Sequence, residues 1–404
     1  MPGAATYTIF IDDYPSVTDI VFPRSAPGNL NKQVPGLTYK WEVAAVDPNG
    51  IVGTKSATIF TNPAPLSTFG VKHALVALVD FTDWDVPFDA STVVPFTDKL
   101  HQWYIDESDG QFEMDFTVTD WREIPRTLES VGTPFLINVV DGTRYGVAFL
   151  AQQAALPYFP EAADYDYVVW VQNGVGEVGF GGGGAVLLSA QHSMTPGVWL
   201  HELGHNLSLM HTGGTRARPP ETSPMWADLL NPDPNRWFLC RYCSDIDPMG
   251  SVAYQDIDDP ILSYSAFKKV VLGWADLSDI QWVEPWGGQF TIAPVEDPAL
   301  HQKIMVGYPL GGIKGMFYEV EYRKAIGQAV VLIHTPMMGG PWGDVDMYQV
   351  GPPLGVGESF YDQARGIRIT LAGAGADWAS VRIATPIAPP AKHRGRRPRL
   401  VEMP

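Results

Sequence analysis

The sequence predicts an α/β domain flanked by an N-terminal β module and a C-terminal β-sandwich. Three observations carry that expectation. Residues 6–61 alternate apolar and polar like strands, and residues 71–282 mix strand-sized apolar runs with helical ones. Beyond residue 282 only short strand runs with turn residues between them remain. A chain of 404 residues with 45% hydrophobic side chains can form two or three packed domains.

In chain order, "ATYTIFID", "LTYKWEVAAVD" and "SATIFT" read as strands, with the turn "PNG" before the last. "TNPAPLS" (61–67) is a Pro-punctuated linker. The α/β part opens with a buried strand at 71–83 and a helix around Thr97–Glu107. A hairpin-like strand follows at 109–121, then a helix over Tyr145–Ala155 and a buried strand at 165–172. Seven glycines between residues 174 and 184 are too many for a regular element. That stretch reads as a mobile loop feeding a strand at Ala185–Ala190, and it lacks the Lys of a phosphate-binding loop. Strand runs after residue 282 predict the sandwich, and the Pro/Arg-rich end has no apolar period and reads as disordered. The expected division is therefore 1–64, 65–282, 283–385 and a basic tail at 386–404.

Charge narrows the function. The net charge is −18, and five of the 27 basic residues lie in the last thirteen, so the body is more acidic still. Such a body repels nucleic acid and anionic lipid, and no apolar run approaches a membrane span, which excludes membrane insertion. The two cysteines, Cys240 and Cys243, exclude a disulfide framework. A local bridge or a pair of free thiols is favoured over a zinc knuckle, which needs a second ligand pair. "MPGAATYTIF" shows no export signal, so the expectation is either a cytosolic protein or a chain whose signal is missing.

The chemistry is concentrated in "SMTPGVWLHELGHNLSLMHTGG" (193–214). Thr195 and Pro196 are a helix start, N-cap hydroxyl followed by proline at the first helical position. On that helix His201 and His205 are four residues apart, which places both imidazoles on one face within reach of a single ion. Glu202 is rotated by about 100° from His201, so it flanks a metal without ligating it and can take a proton from water. His211 joins the pair only if the helix ends and the chain folds back.

These residues resemble the long zinc-binding motif of metzincin peptidases, His-Glu-x-x-His-x-x-Gly-x-x-His. The likeness is to gametolysin-like peptidases, with kinship to the immune-inhibitor-A type. It extends over about residues 71–384 through "ALVALVDFTD", "WYIDESDGQFEMDFTVTDW", "YDYVVWV", "YSAFKKVVLGW", "FYEVEYR" and "GESFYDQARGIRI". The resemblance implies a metzincin-type catalytic domain, a twisted mixed sheet plus an active-site helix. It also implies one catalytic Zn2+ on His201, His205 and His211, Glu202 as general base, and Met249 in "DIDPMGS" packed beneath the imidazoles. An exported enzyme acting on a protein or peptide is the corresponding expectation, with the peptide paired to the strand near Ala185–Ala190. "VPGLTYKWEVAAVDPNG" resembles the later strands of a fibronectin type III domain; an unrelated β segment or part of a pro-region is the alternative.

One position departs from the motif: its glycine is Ser208 here. That glycine ends the helix at positive φ, which serine adopts at a cost of order 1 kcal/mol. With all three ligands and the base retained, a competent site with a mildly strained turn is favoured over a weakened one. Less specific candidates are Tyr254 as an oxyanion contact and His192 as a substrate contact. His73 and His334 read as structural. Asp256, Asp258 and Asp259 could bind Ca2+, although a solvated acidic loop is the default.

Three rivals remain. The flanking β modules could make this an extracellular adhesion protein with a degenerate, structural zinc site. A reprolysin-like enzyme is disfavoured by the scarcity of cysteine, and a thermolysin-like one by the place of Glu221 in a Pro-rich loop. No motif speaks to oligomeric state or cleavage preference.

Overall fold

Apolar on consecutive positions, Ala74–Val79 can be buried on both faces, and it forms the middle of a twelve-residue strand, Gly70–Phe81. In the computed structural model the described residues are 6–11, 14–20, 38–49, 51–56, 58–61, 67–134, 136–137, 143–176, 179–215, 239–240, 244–250, 262–297, 303–310, 316–334 and 345–388. The N-terminal strands β1 (Thr6–Ile11), β2 (Tyr14–Ile20), β3 (Tyr39–Val46), β4 (Val52–Lys55) and β5 (Ile59–Thr61) form one antiparallel sheet, as their alternation predicts.

The middle sheet is built on β6 (Gly70–Phe81). It also holds β7 (Phe112–Val118), β8 (Arg122–Ile124), β11 (Tyr167–Gln172), β12 (Gly179–Gly182) and β13 (Ala185–Ser189), in the order β12-β13-β11-β6-β7 with β8 also on β6. The short strands β9 (Leu136–Ile137) and β10 (Arg144–Tyr145) pair with each other. Neighbours run parallel except β12, which is antiparallel to β13. Side-chain alternation sorts the sheet's two faces. Val76, Leu78, Val169, Val171 and Leu188 pack with helices α1 (Val94–Glu107) and α4 (Pro196–Asn206). Leu75, Ala77, Val79, Trp170 and Leu187 pack with α2 (Leu128–Val131) and α3 (Ala148–Ala155).

Two elements differ from the sequence expectation. The run at 109–121 is no hairpin: β7 lies parallel to β6, because α1 crosses over between them. Nor is the glycine-rich stretch wholly irregular, since Gly179–Gly182 is a strand. Its missing side chains are what let it lie against α4, as described below.

The C-terminal part has three layers. A sheet of β14 (His211–Thr215), β15 (Leu239–Cys240), β16 (Ile280–Trp282), β18 (Met305–Pro309), β19 (Phe317–Arg323), β20 (Gln328–His334) and β21 (Val345–Gln349) runs in the order β15-β14-β21-β20-β19-β18-β16. Val306, Tyr318, Val320 and Val331 on one face meet Ile369, Leu371 and Val381 of a second sheet, β17 (Gly287–Ile292), β22 (Ser359–Asp362), β23 (Ile367–Ala374) and β24 (Ala379–Ala384). The other face packs Met305, Phe317, Val330 and Met347 on helix α5 (Ala266–Leu272), whose seven residues are all buried. The sandwich is therefore present, yet β14, β15 and β16 belong to its larger sheet. This sheet thus draws strands from both sides of residue 282.

Candidate metal centre

Helix α4 begins at Pro196 with Thr195 at the N-cap, and most of it is buried, including His201 and Glu202. It ends in a Schellman motif: Leu209 N–H donates to Gly204 O at 2.9 Å and Ser208 N–H to His205 O at 3.0 Å. Ser208 occupies the left-handed position at φ 66°, the backbone conformation that the motif glycine would take. The reversal lets His211 start β14 only six residues after His205, and β14 runs parallel to β21, with His211 opposite Val345.

The three imidazoles converge. Ring centroids are 4.9 Å apart for His201–His205, 5.0 Å for His201–His211 and 4.5 Å for His205–His211. One ring nitrogen from each lies within 4.8 Å of the others, and Nε2 of His205 and of His211 are 3.0 Å apart. The orientations are set from behind. His201 Nδ1 donates to Pro248 O and His205 Nδ1 to Leu209 O, both at 2.9 Å, which leaves the lone pair of each ring on Nε2. Burial holds the His201 imidazole well below its ordinary pKa, and His205 and His211 beside it push the same way. A neutral ring with an inward lone pair is a ligand in its binding state.

This donor set fits a divalent metal. Tetrahedral zinc, with Zn–N of about 2.0–2.1 Å, needs ligand nitrogens roughly 3.3 Å apart, close to the spacing of His205 and His211. Imidazoles also suit copper, iron and nickel, so the triad alone does not name the ion.

Met249 is fully buried against the back of α4, where a Cβ added to Gly204 would sit 2.4 Å from its Sδ. Its turn is tied to the triad twice, through Pro248 O to His201 and through Thr212 N–H donating to Met249 O at 2.8 Å. Glu202 is 9% exposed, and a Cβ on Gly179 would meet its Oε1 at 2.5 Å, so its carboxylate lies against the edge strand β12. His192 sits in the turn between β13 and α4, outside the triad. His334 is buried and stacked on Phe317, whereas His73, on β6, is exposed and lies 3.4 Å from Asp115 Oδ2. Tyr254, Asp256, Asp258, Asp259, Glu221 and Cys243 lie outside the described residues.

Three positions escaped the sequence reading. Gly204 breaks the helical preference by about 1 kcal/mol, a signal of close packing inside a helix. Asn206 pins α4 to the glycine turn, accepting from Gly184 N–H at 2.7 Å and donating to Ala185 O at 3.1 Å. Asp247, two residues before Met249, accepts from Met249 N–H at 2.7 Å, an Asx turn legible in "DPM".

No family model and no curated protein matches the chain. Among solved structures it aligns with OgpA from Akkermansia muciniphila. A catalytically inactive form in complex with an O-glycopeptide (glycodrosocin) substrate is 13% identical over 68% of this chain and 73% of that one, with a TM-score of 0.27. Wild-type OgpA in one crystal form is 14% identical over 72% and 81%, TM-score 0.30, and in another 11% identical over 68% and 74%, TM-score 0.26. Likeness this loose leaves the function to be read from the chain's own residues.

Proposed function

We propose that this chain is a secreted, zinc-dependent metalloendopeptidase of gametolysin-like metzincin type. It would hydrolyse peptide bonds in extracellular or cell-wall proteins. The observation that carries the reading is the convergence of His201, His205 and His211, brought together across a helix end and a strand. Glu202 on the same helix and Met249 behind it complete the set that the motif implies.

A zinc ion held by His201, His205 and His211 would supply Lewis acidity, polarising a peptide carbonyl and acidifying water. Glu202 takes the proton of the attacking water and delivers it to the amine nitrogen as the C–N bond breaks. Burial beside Gly179 keeps that carboxylate next to β12, the last strand of its sheet among the described residues. Peptide pairing with Ala185–Ala190 is corrected, because both edges of β13 are taken by β11 and β12. An extended substrate adds to β12 instead, with its backbone groups pairing along Gly179–Gly182 and its path leading past Glu202. No helix among the described residues is long and apolar enough to cross a membrane. The acidic body supports a protein or peptide substrate over nucleic acid.

Glu202→Gln tests the reading. It removes the base while keeping the side chain's size, so hydrolysis of an unfolded protein is expected to fall by at least about 100-fold with the metal content unchanged. Full activity in that variant would refute the role of Glu202.

A further inference from the structure

Beneath the triad lies a buried ion pair that the proposed reaction does not use. Lys268 Nζ is 3.4 Å from Asp247 Oδ1, and the two side chains are 1% and 0% exposed. Lys268 is on α5, which packs on the larger C-terminal sheet. Asp247 precedes the Met249 turn. Charges so fully removed from water need partners at nearly every polar atom, and these partners are informative.

Asp247 Oδ1 accepts from Met249 N–H at 2.7 Å, and Oδ2 accepts from Ser265 N–H, the N-cap of α5, at 2.8 Å. Lys268 Nζ also donates to Thr212 Oγ1. Two of these contacts, to Met249 and to Thr212, are one step from an imidazole. Pro248, between Asp247 and Met249, gives the carbonyl that orients His201. Thr212 follows His211 in β14, and its N–H closes the loop by donating to Met249 O. The pair thus grips the turn behind one histidine and the strand that carries another.

We propose that Asp247 and Lys268 are positioning residues of the metal centre, holding His201 and His211 in register from the C-terminal sheet before a metal arrives. This rests on reading the triad as a metal site. Groups behind a ligand set its orientation, and their loss typically weakens metal binding about 10–100-fold. A pair that served folding alone would change unfolding but leave the affinity and ligand field of the folded protein where they were.

Cobalt(II) titration of the full chain, read by its visible absorption and by chelator competition, separates these roles. Asp247→Asn removes the charge at constant size. Thr212→Val removes only the acceptor of Lys268 and keeps the backbone bond to Met249, while Thr212→Ser keeps the hydroxyl. Asp247→Asn and Thr212→Val, folded by near-ultraviolet circular dichroism, should bind cobalt about 10–100-fold more weakly with an altered spectrum, and Thr212→Ser should restore both. If Asp247→Asn does not fold, the Thr212 pair decides. Wild-type affinity and spectrum in the folded variants would overturn the positioning role. His211→Ala distinguishes the two failures. If it loses cobalt while the other variants do not, only the positioning role falls. If wild type binds no better than His211→Ala, the metal-centre reading falls and this proposal with it.

Discussion

Ser208 holds the turn between two of the three histidines, and it does so in a conformation that an L-residue adopts reluctantly. Its φ of 66° is the left-handed value, and the two hydrogen bonds of the Schellman motif close around it. Ser208→Gly is expected to raise stability by about 1 kcal/mol, measured by denaturant unfolding of the metal-free protein. Unchanged or lower stability would mean that the serine side chain compensates for its backbone. This feature was legible in the sequence, because an eleven-residue motif with one substituted position locates the strain. The roles of Asp247 and Lys268 were not. "DPM" marks a turn, but nothing in "DIDPMG" or "AFKKVVL" pairs the aspartate with the lysine, and only the fold buries them against each other.

At the scale of elements, the helix and its edge strand make one unit. A Cβ on Gly181 would come 2.1 Å from Glu202 O, an atom fixed in the helix backbone. Gly181→Ala must therefore push β12 away from α4. We expect a destabilisation of about 1–3 kcal/mol and reduced peptidase activity, seen together in thermal unfolding and a turnover assay. Wild-type behaviour on both counts would show that the strand has room to shift. Composition alone misjudged this segment, since glycine is a poor strand former by propensity. The missing term was tertiary: the strand's partner is a helix too close to admit side chains. The helices and buried parallel strands were clearer, because their apolar period is local. Thr195 and Pro196 marked the start of α4 to the residue, although the Thr195 side chain makes no capping hydrogen bond.

The whole molecule joins the triad to its C-terminal sandwich. His211 opens a strand in the larger sheet, and α5 sits between that sheet and the turn of Met249. On the face of β19 toward α5, Glu319 and Glu321 accept backbone N–H groups of Phe267 and Ala266 at 3.0 and 2.7 Å. Burial pushes the Glu319 carboxyl well above the usual glutamate range, and the neighbouring Glu321 adds to the shift. Below that range the folded and unfolded chains both carry the proton, and Glu319 has no net effect. As pH rises through it, the unfolded chain releases its proton first and the folded state loses stability until the raised folded value is reached. Glu319→Gln should thus stabilise the protein near pH 7 and leave it almost unchanged near pH 4, followed by unfolding midpoints across that interval. A gain that grew toward acid would contradict the assignment. Strand runs after residue 282 made the sandwich visible in sequence. The pairing of β14 with β21 joins residues more than a hundred positions apart, and no local pattern encodes it.

On the proposed reading, His201, His205 and His211 bind one zinc ion together. X-ray absorption at the zinc edge of the purified protein, loaded with one equivalent, tests it most directly. Three imidazole nitrogens at about 2.0–2.1 Å and no sulfur are expected. A shell with fewer than three imidazoles, or with cysteine sulfur at about 2.3 Å, would contradict it.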